Sequence, residues 1–250
     1  MSELISILTP TANRERLLPA IARCVQRQKV DWEWLVLDDS PTPSAHMQAL
    51  VATDARIHYY HSSTRMTIGA KRNFLIAKAR GTLIAHFDDD DYYAPHYLSG
   101  MVALMEQSQS DLIKLSAFFM YAPLTQFLGY MDLRAKVGHH YELSGSSVNA
   151  VEFHEKKQIG ADFILFYGFS YVYRKALTAA SRFDDIDLGE DASFIKGVVK
   201  AGHKVMTADD PNHSCLHLIH PASTSRCFSR YSIPPFLLPK LFPGYEGYPD

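Results

Sequence analysis

The stretch His86-Phe87-Asp88-Asp89-Asp90-Asp91-Tyr92-Tyr93-Ala94-Pro95 decides how the rest of the chain is interpreted. It follows the apolar run Leu83-Ile84-Ala85, which predicts a buried strand, so four carboxylates come together where that strand ends. A bound cation would relieve their mutual repulsion, and we expect Asp88 and Asp90 to share one face of the extended chain. Carboxylate oxygens on a short turn are typical ligands of Mg²⁺ or Mn²⁺. The alternative is a solvated acidic turn without a ligand.

Length and composition limit the class of protein. With 250 residues, of which 47% are hydrophobic, the chain can bury a sizeable core as one large domain or two small ones. The formal net charge of −2 leaves no basic excess for neutralising phosphates, which argues against general nucleic-acid binding. The cysteines Cys24, Cys215 and Cys227 are widely spaced without a Cys-x-x-Cys motif, so they favour a reducing compartment.

The sequence carries no sign of a targeting segment. Met1-Ser2-Glu3 supplies no basic leader, and the apolar segment from Leu4 to Leu8 is too short for the core of a signal peptide. No stretch approaches the length of a membrane-spanning helix. We therefore expect a cytoplasmic protein. Peripheral membrane contact stays open, because the tail from Ser232 is rich in Pro, Phe, Leu and Tyr.

The order of predicted elements indicates an α/β fold. Apolar strands at 4–9 and 34–37 are separated by a helix, and two such βα units predict a parallel sheet. In open α/β sheets ligands collect at the carboxyl ends of strands, so we expect Thr9, Asp38, Asp39 and the acidic stretch to converge on one crevice. Further elements are predicted as strands at 57–60, 111–116, 163–173 and 205–208 and as helices at 69–79, 96–107 and 192–201, whereas 117–157 has little periodicity and is typical of a functional insertion.

Gly69-Ala70-Lys71-Arg72-Asn73 forms a second group of candidate residues at the start of a predicted helix. The free N–H groups and the positive end of the helix dipole favour anions there, and the two cations strengthen the case for phosphate. The alternative is an ordinary exposed helix face. A metal ion and a guanidinium on opposite sides of a diphosphate form the usual clamp, so closeness to the acidic stretch adds weight to this motif.

Four segments of the chain occur in the order and spacing of a known family: Ile7-Leu8-Thr9-Pro10-Thr11-Ala12-Asn13-Arg14, Val36-Leu37-Asp38-Asp39-Ser40, Gly69 to Asn73, and Ala79 to Asp91. Over roughly residues 3 to 100 the chain resembles nucleotide-sugar-dependent glycosyltransferases of the GT-A fold, most of all glycosyltransferase family two. The resemblance implies a Rossmann-like, mostly parallel central sheet flanked by helices, with a less regular C-terminal acceptor side. A single domain over 1–250 would hold a nucleotide-sugar half at 1–110, an acceptor and catalytic half at 111–230 and a tail at 231–250.

Two shorter signals extend the resemblance. Gly189-Glu190-Asp191 is similar to the Glu-Asp motif whose second acid is the catalytic base, although an acidic residue at a helix start is the structural alternative. The segment from His217 to Ser225 is similar to a C-terminal His-x-x-Asn-Thr-Ser-like loop, in which a His approaches the metal or the diphosphate. Ser223 replaces the Asn. His220 fits the spacing best and His217 second, and a packed or surface histidine is the alternative.

The resemblance implies a role for each candidate residue. Asp90, helped by Asp88 and His220, would bind Mn²⁺ or Mg²⁺, while Asp89 or Asp91 would touch the ribose or the sugar. Asp191 would take a proton from an acceptor hydroxyl during an inverting transfer. The nucleoside would be held by Thr9, Pro10, Arg14 and Asp38 or Asp39, and Lys71 or Arg72 would offset charge on the departing nucleotide.

Two other functional classes remain as alternatives. One is a catalytically silent nucleotide-sugar or glycan-binding module, and the other is a metal-dependent nucleotidyltransferase or phosphohydrolase. The intact Glu190-Asp191 favours an enzyme, and Gly69 to Asn73 lacks the pattern of a P-loop. The expected partners are a UDP- or GDP-sugar and a glycan or lipid-linked acceptor, without nucleic acid and with self-association left open.

Overall fold

The computed structural model describes residues 3–134, 137–154, 165–210, 212–223 and 226–248. The α-helices in these ranges are α1 (Leu18–Gln26), α2 (Ala45–Thr53), α3 (Ile68–Lys78), α4 (Tyr97–Ser108), α5 (Glu190–Lys200) and α6 (Leu238–Leu241). The strands are β1 (Ile5–Thr11), β2 (Trp32–Asp38), β3 (Ile57–His61), β4 (Leu83–His86), β5 (Tyr92–Tyr93), β6 (Leu112–Ala122), β7 (Phe127–Asp132), β8 (Gly138–Ser144), β9 (Ser147–Phe153), β10 (Val172–Arg174), β11 (Val205–Asp209), β12 (Cys215–Leu218), β13 (Cys227–Ser229) and β14 (Tyr231–Ile233).

The chain divides into two compact units. The first unit comprises Met1–Asp89, Pro95–Lys114 and Phe166–Met206. The second unit comprises Asp90–Ala94, Leu115–Leu165 and Thr207–Asp250. Strand β6 therefore begins in the first unit and continues in the second.

A parallel sheet forms the centre of the first unit. Strand β1 lies between β2 and β4, with β3 beyond β2, and all of these neighbours are parallel. Strand β10 pairs antiparallel with β4, and the start of β6 pairs with β10. Every residue of β2 and all of β1 except Pro10 are buried, as expected for parallel strands, whose two faces are both covered. The predicted α/β class with a mostly parallel sheet is confirmed.

The helices of the first unit begin close to where the sequence predicts. Helix α3 starts at Ile68, and the Thr67 side chain accepts a hydrogen bond from the Ala70 N–H, which is a typical N-cap. Helix α5 starts two residues before the predicted boundary, with Gly189 in the left-handed region at φ 89°. Glu190 and Asp191 therefore lie in the first turn of α5 and not ahead of it.

Strands of the second unit occupy much of the stretch that the sequence leaves without an element. The later part of β6 pairs antiparallel with β7, and β7 pairs with β14. Strand β12 pairs with both β5 and β6, whereas β13, β8 and β9 form a separate three-stranded sheet. The prediction that 117–157 is irregular is wrong where the structure describes it, since cross-strand pairing of half-exposed strands supplies the order that periodicity does not show. Residues 135, 136 and 155–157 lie outside the described ranges.

The strand predicted over 163–173 is also corrected. Its described part holds a 3₁₀ turn at Gly168–Ser170, and only β10 is extended. Tyr167 precedes that turn with φ 67°, a left-handed conformation that ends any strand. Residues 163 and 164 lie outside the described ranges.

The helices are all short compared with the thickness of a bilayer. Among the described residues, none is long and apolar enough to cross a membrane.

Candidate functional site

The first two residues of the acidic stretch each meet a partner within the first unit. The Asp88 carboxylate lies 3.4 Å from the Arg72 guanidinium. The Thr11 hydroxyl donates a hydrogen bond of 2.5 Å to Asp89. The other Asp89 oxygen lies 3.5 Å from the Arg14 guanidinium. Arg14 is a predicted donor-site residue, and the structure places it beside a second one.

The last two acids of the stretch meet histidines within the second unit. His220 Nε2 lies 2.9 Å from an Asp90 oxygen, and His217 Nδ1 lies 2.8 Å from Asp91. The Leu218 N–H donates a further bond of 2.9 Å to Asp91. Burial alone would lower the pKa of His217, but Asp91 raises that pKa well above its ordinary value, so the imidazole is charged at neutral pH.

The four acids have partners within the protein that offset part of their repulsion, and the bound cation stays a prediction. Each carboxylate already has a cationic or hydrogen-bonding partner from the protein. Among the described residues, no group of three or more His, Cys, Asp or Glu side chains is arranged to hold a metal ion. Asp90 and His220 nevertheless bring a carboxylate oxygen and a ring nitrogen within 2.9 Å, and both atom types suit Mn²⁺.

Asp38 and Asp39 follow one another at the end of β2 but have different surroundings. Asp38 accepts hydrogen bonds from the Ser40 N–H at 2.8 Å and the Tyr59 hydroxyl at 2.7 Å. Burial, and secondly Asp38, raise the pKa of Tyr59 well above its ordinary value, so this hydroxyl keeps its proton. Asp39 forms an ion pair of 2.6 Å with Lys71. We call Asp39, Lys71 and Thr11 the Lys71 group.

The Lys71 group joins two of the predicted strand-end acids. Besides Asp39, the Lys71 ammonium donates a bond of 2.8 Å to the Thr11 carbonyl oxygen. The Thr11 hydroxyl in turn holds Asp89. The expectation that Asp39 and Asp89 converge is therefore met through Thr11, a residue that the sequence analysis does not single out.

Thr9, in contrast, lies inside the sheet. It is fully buried, its hydroxyl donates 2.8 Å to the Phe87 carbonyl oxygen, and it accepts from the Trp34 indole N–H at 2.9 Å. These contacts hold β1 to its neighbours and engage the Thr9 hydroxyl within the sheet, while the nucleoside contact of Thr9 stays a prediction. Strand β1 continues through Pro10 to Thr11, so Thr9 is an interior residue of the strand.

Arg72 is the centre of a buried network. Its guanidinium contacts His86 Nδ1, and its Nε lies 3.5 Å from a Glu190 oxygen. Burial and then Arg72 lower the pKa of His86 well below its ordinary value, so this imidazole is neutral. Arg72 and Lys71 are each only 4% exposed, which excludes the alternative of an ordinary exposed helix face.

The backbone N–H groups at the start of α3 are already occupied. The Ile68 N–H donates to the Asp187 carboxylate at 3.2 Å, and the Gly69 N–H donates to the Ile186 carbonyl oxygen at 3.1 Å. A phosphate at this helix start, as the sequence predicts, would have to displace both partners. The prediction of a free anion site at this helix start is therefore wrong, while Lys71 and Arg72 remain candidates.

Gly69 has a packing reason of its own. A Cβ atom at Gly69 would lie 1.8 Å from the Asp184 carbonyl oxygen, a distance that no side chain tolerates. The segment that follows covers the helix start, and the Thr67 hydroxyl donates 2.5 Å to Asp185. The acidic residues Asp184, Asp185 and Asp187 thus contact the start of α3 while they stay exposed or half-exposed.

Asp191 is held by two backbone donors. The Gly168 N–H donates 2.9 Å to one carboxylate oxygen, and the Ala192 N–H donates 2.7 Å to the other. A Cβ atom at Gly168 would lie 2.9 Å from Asp191 Cβ, so the close approach needs a glycine. The sequence analysis misses Gly168, which lies in a predicted strand, where an isolated glycine is the available signal of a close backbone approach.

Comparison with known proteins places this geometry in context. Residues 6–127 match the family model described as glycosyl transferase family 2. WcaA of Escherichia coli K12, named as a candidate colanic acid biosynthesis glycosyl transferase, is 37% identical over 107 residues, covering 42% of this chain and 38% of the relative. The uncharacterized glycosyltransferase EpsJ of Bacillus subtilis 168 is 25% identical over 219 residues, covering 84% of this chain and 60% of the relative.

Solved structures share the fold. TarS of S. aureus in complex with UDP-GlcNAc superposes with a TM-score of 0.63 at 16% identity, covering 88% of this chain and 59% of that chain. The mannosyltransferase PcManGT of Pyrobaculum calidifontis in complex with GDP-Man and Mn²⁺ gives 0.60 at 15% identity, covering 87% and 57%. This chain thus spans less than two thirds of the relatives it matches. The predicted GT-A fold is confirmed by these superpositions, and residues 6–127 are similar to glycosyl transferase family 2.

Proposed function

We propose that the chain is an inverting glycosyltransferase that moves a sugar from a UDP- or GDP-sugar to a hydroxyl group of a glycan or lipid-linked acceptor. The observation that carries the proposal is the Asp191 carboxylate, fixed by the Gly168 and Ala192 N–H groups in the first turn of α5. The family match supports the reaction class. The TarS complex with UDP-GlcNAc and the PcManGT complex with GDP-Man support the class of donor.

The nucleotide-sugar would be bound at the strand ends of the first unit. Asp38 or Asp39 would accept a hydrogen bond from a base N–H, and Arg14 would contact the nucleoside beside Asp89. Lys71 and Arg72 each neutralise a neighbouring acid, Asp39 and Asp88, and their charges would also offset charge on the departing nucleotide. All of these positions are candidates for mutation.

Asp90 and His220 of the second unit are the residues that would hold a divalent ion. Their carboxylate and imidazole groups suit Mn²⁺, the ion of the PcManGT complex, and Mg²⁺ is the alternative. When bound, such an ion supplies charge neutralisation at the diphosphate.

In the transfer itself, Asp191 would accept the proton of the acceptor hydroxyl as that oxygen attacks the anomeric carbon. The bond from the anomeric carbon to the diphosphate oxygen breaks on the opposite face, so the configuration inverts. The two N–H donors keep the carboxylate oriented because each oxygen is fixed by one of them. Glu190, the neighbouring acid, faces Arg72 and has a structural role.

The acceptor is assigned to residues 111–230. WcaA, which is named for colanic acid biosynthesis, supports a growing polysaccharide as the acceptor class. Strands β8 and β9 offer an exposed sheet in the second unit, on which Tyr141 is 37% exposed. An exposed aromatic ring is a usual platform for a sugar.

The test is Asp191→Asn, with Asp185→Asn as a matched control because Asp185 accepts a hydrogen bond from the Thr67 hydroxyl and has no proposed role in the transfer. We expect Asp191→Asn to lower release of nucleoside diphosphate by about 100-fold or more. Titration calorimetry with UDP, GDP and their sugars, with and without Mn²⁺, should show binding within a few fold of the wild type. Full activity in Asp191→Asn would exclude it as the base. Release of pyrophosphate instead of a nucleoside diphosphate would indicate a nucleotidyltransferase.

A further inference from the structure

Lys114 is a fully buried lysine that the transfer described above does not use. It lies in the first unit at the start of β6, between the apolar residues Ile113 and Leu115. Its ammonium donates a hydrogen bond to the carbonyl oxygen of Phe166. Taking a lysine out of water without a partner is costly, so this contact fixes where the charge can lie. A single lysine within the apolar run Leu112-Ile113-Lys114-Leu115 can also be recognised in the sequence.

The carbonyl that Lys114 holds belongs to the turn that holds Asp191. Phe166 is followed by Tyr167, whose φ of 67° is uncommon for a bulky residue, and then by Gly168. The Gly168 N–H donates 2.9 Å to Asp191. The segment Phe166–Gly168 therefore accepts a hydrogen bond from Lys114 at one end and donates one to Asp191 at the other.

Two influences act on the pKa of Lys114. Burial is the larger and lowers this pKa to about 7, while Asp191 on α5 opposes the loss of the proton. Lys196, also on α5, has its ammonium 5.5 Å from the centre of the Phe166 ring. Tyr171 stays neutral, because burial and then Asp191 raise its pKa well above the ordinary value.

We propose that Lys114, in its protonated form, is a positioning residue for Asp191, acting through the Phe166 carbonyl and the Gly168 N–H. The inference rests on the proposed function, in which Asp191 is the base. A charge-assisted hydrogen bond is stronger than a neutral one, so the ammonium holds the left-handed Tyr167 in place better than the amine does. Transfer should therefore slow as Lys114 loses its proton above neutral pH.

The experiment compares Lys114→Met, Lys114→Gln and Lys114→Arg with the control Lys175→Met. Lys175 makes the same kind of ammonium-to-carbonyl contact, to Ala79, away from Asp191. Because small displacements of a catalytic group are costly, we expect Lys114→Met to lower kcat about tenfold or more with donor KM within about twofold. Lys175→Met should stay within about twofold of wild-type kcat.

The pH profile separates positioning from mere packing. Wild-type kcat should fall between about pH 6 and pH 9, and Lys114→Arg, whose guanidinium stays charged, should keep activity and lose this alkaline fall. Lys114→Gln, which keeps a hydrogen-bond donor without the charge, should show intermediate kcat and no alkaline fall. Thermal melts confirm that each variant is folded.

Two outcomes overturn the inference. One is a folded Lys114→Met with wild-type kcat and pH profile, and the other is a wild-type profile that does not fall over this pH range, a result that needs no variant to fold. If Asp191→Asn is inactive while Lys114→Met is unaffected, the proposed function stands and this inference fails. If Asp191→Asn is active, the proposed function itself fails.

Discussion

Two acids of the first unit, Asp39 and Asp191, are held by different chemistry. Asp39 forms a buried ion pair with Lys71, in which the two side chains are 2% and 5% exposed. Asp191 accepts from backbone N–H groups, and no described lysine or arginine forms an ion pair with it. A carboxylate with a buried counter-charge is suited to a fixed structural role, whereas one held by neutral donors keeps its charge for a reacting proton.

The largest effect should come from removing the counter-charge of Asp39. Lys71→Met would leave the buried Asp39 without its counter-charge, which should lower the free energy of unfolding by about 3–5 kcal/mol in urea titrations at pH 7. Arg65→Met is the control, because Arg65 pairs with Asp187 at the surface, and the loss there should stay below about 1 kcal/mol. Equal losses in the two variants would mean that burial does not distinguish the pairs.

The next effect concerns Lys114, the buried cation that contacts the turn beside Asp191. The pKa of Lys114 is about 7 in the folded protein against 10.5 for an ordinary lysine, so the unfolded chain binds more protons between these values. The free energy of unfolding should therefore rise with pH across this window by up to about 1.4 kcal/mol per pH unit. Lys114→Met lacks this rise. The difference in free energy of unfolding between the wild type and Lys114→Met should therefore shift in favour of the wild type between pH 7 and pH 9, as urea titrations across this range would show. A constant difference would contradict the low pKa.

Gly168→Ala sharpens the comparison without changing any charge. Its Cβ atom would meet Asp191 Cβ at 2.9 Å, so the turn or the carboxylate must shift. We expect kcat to fall about tenfold, with donor affinity unchanged in calorimetry. Gly100→Ala, where a Cβ atom meets nothing within 4 Å, is the control and should leave kcat unaltered.

The smallest effect concerns how the two helices begin. Helix α3, which carries Lys71, has a Thr67 side-chain cap, whereas α5, which carries Asp191, follows Gly189 without a side-chain cap. Thr67→Ala should lower the free energy of unfolding by about 1 kcal/mol in urea titrations. A loss below the error of the measurement would mean that the loop from Asp184 to Asp187 holds this helix start on its own.

The first hundred residues show what sequence patterns can predict. Strands such as β1 and β2 are continuous apolar runs, and α1 has an apolar stripe, so these elements are recovered within a few residues. Helix α2 is missed because Met47 is its only buried residue, which leaves no stripe to recognise. Strands β8 and β9 are missed because both are partly exposed and gain their order from pairing with each other.

The candidate site was predictable in its residue types but not in its pairings. Asp39 and Asp89 lie at strand ends, as the alternation of strands and helices predicts. Their partners, Lys71 and Thr11, depend on how helices approach the sheet, which no local pattern contains. Thr9 lies within β1 and not at its end, because the end of β1 lies two residues later than predicted.

The consecutive carboxylates from Asp88 to Asp91 have one further consequence, which concerns the sequence changes that the protein tolerates. Each side chain pairs with a different residue, so the spacing of the run matters as much as its composition. An Asp-to-Glu exchange alters one side chain and leaves the other three in register with their partners, whereas an insertion or deletion of one amino acid within the run shifts the register of several carboxylates at once. We expect length changes at this point to be far less tolerated than single exchanges.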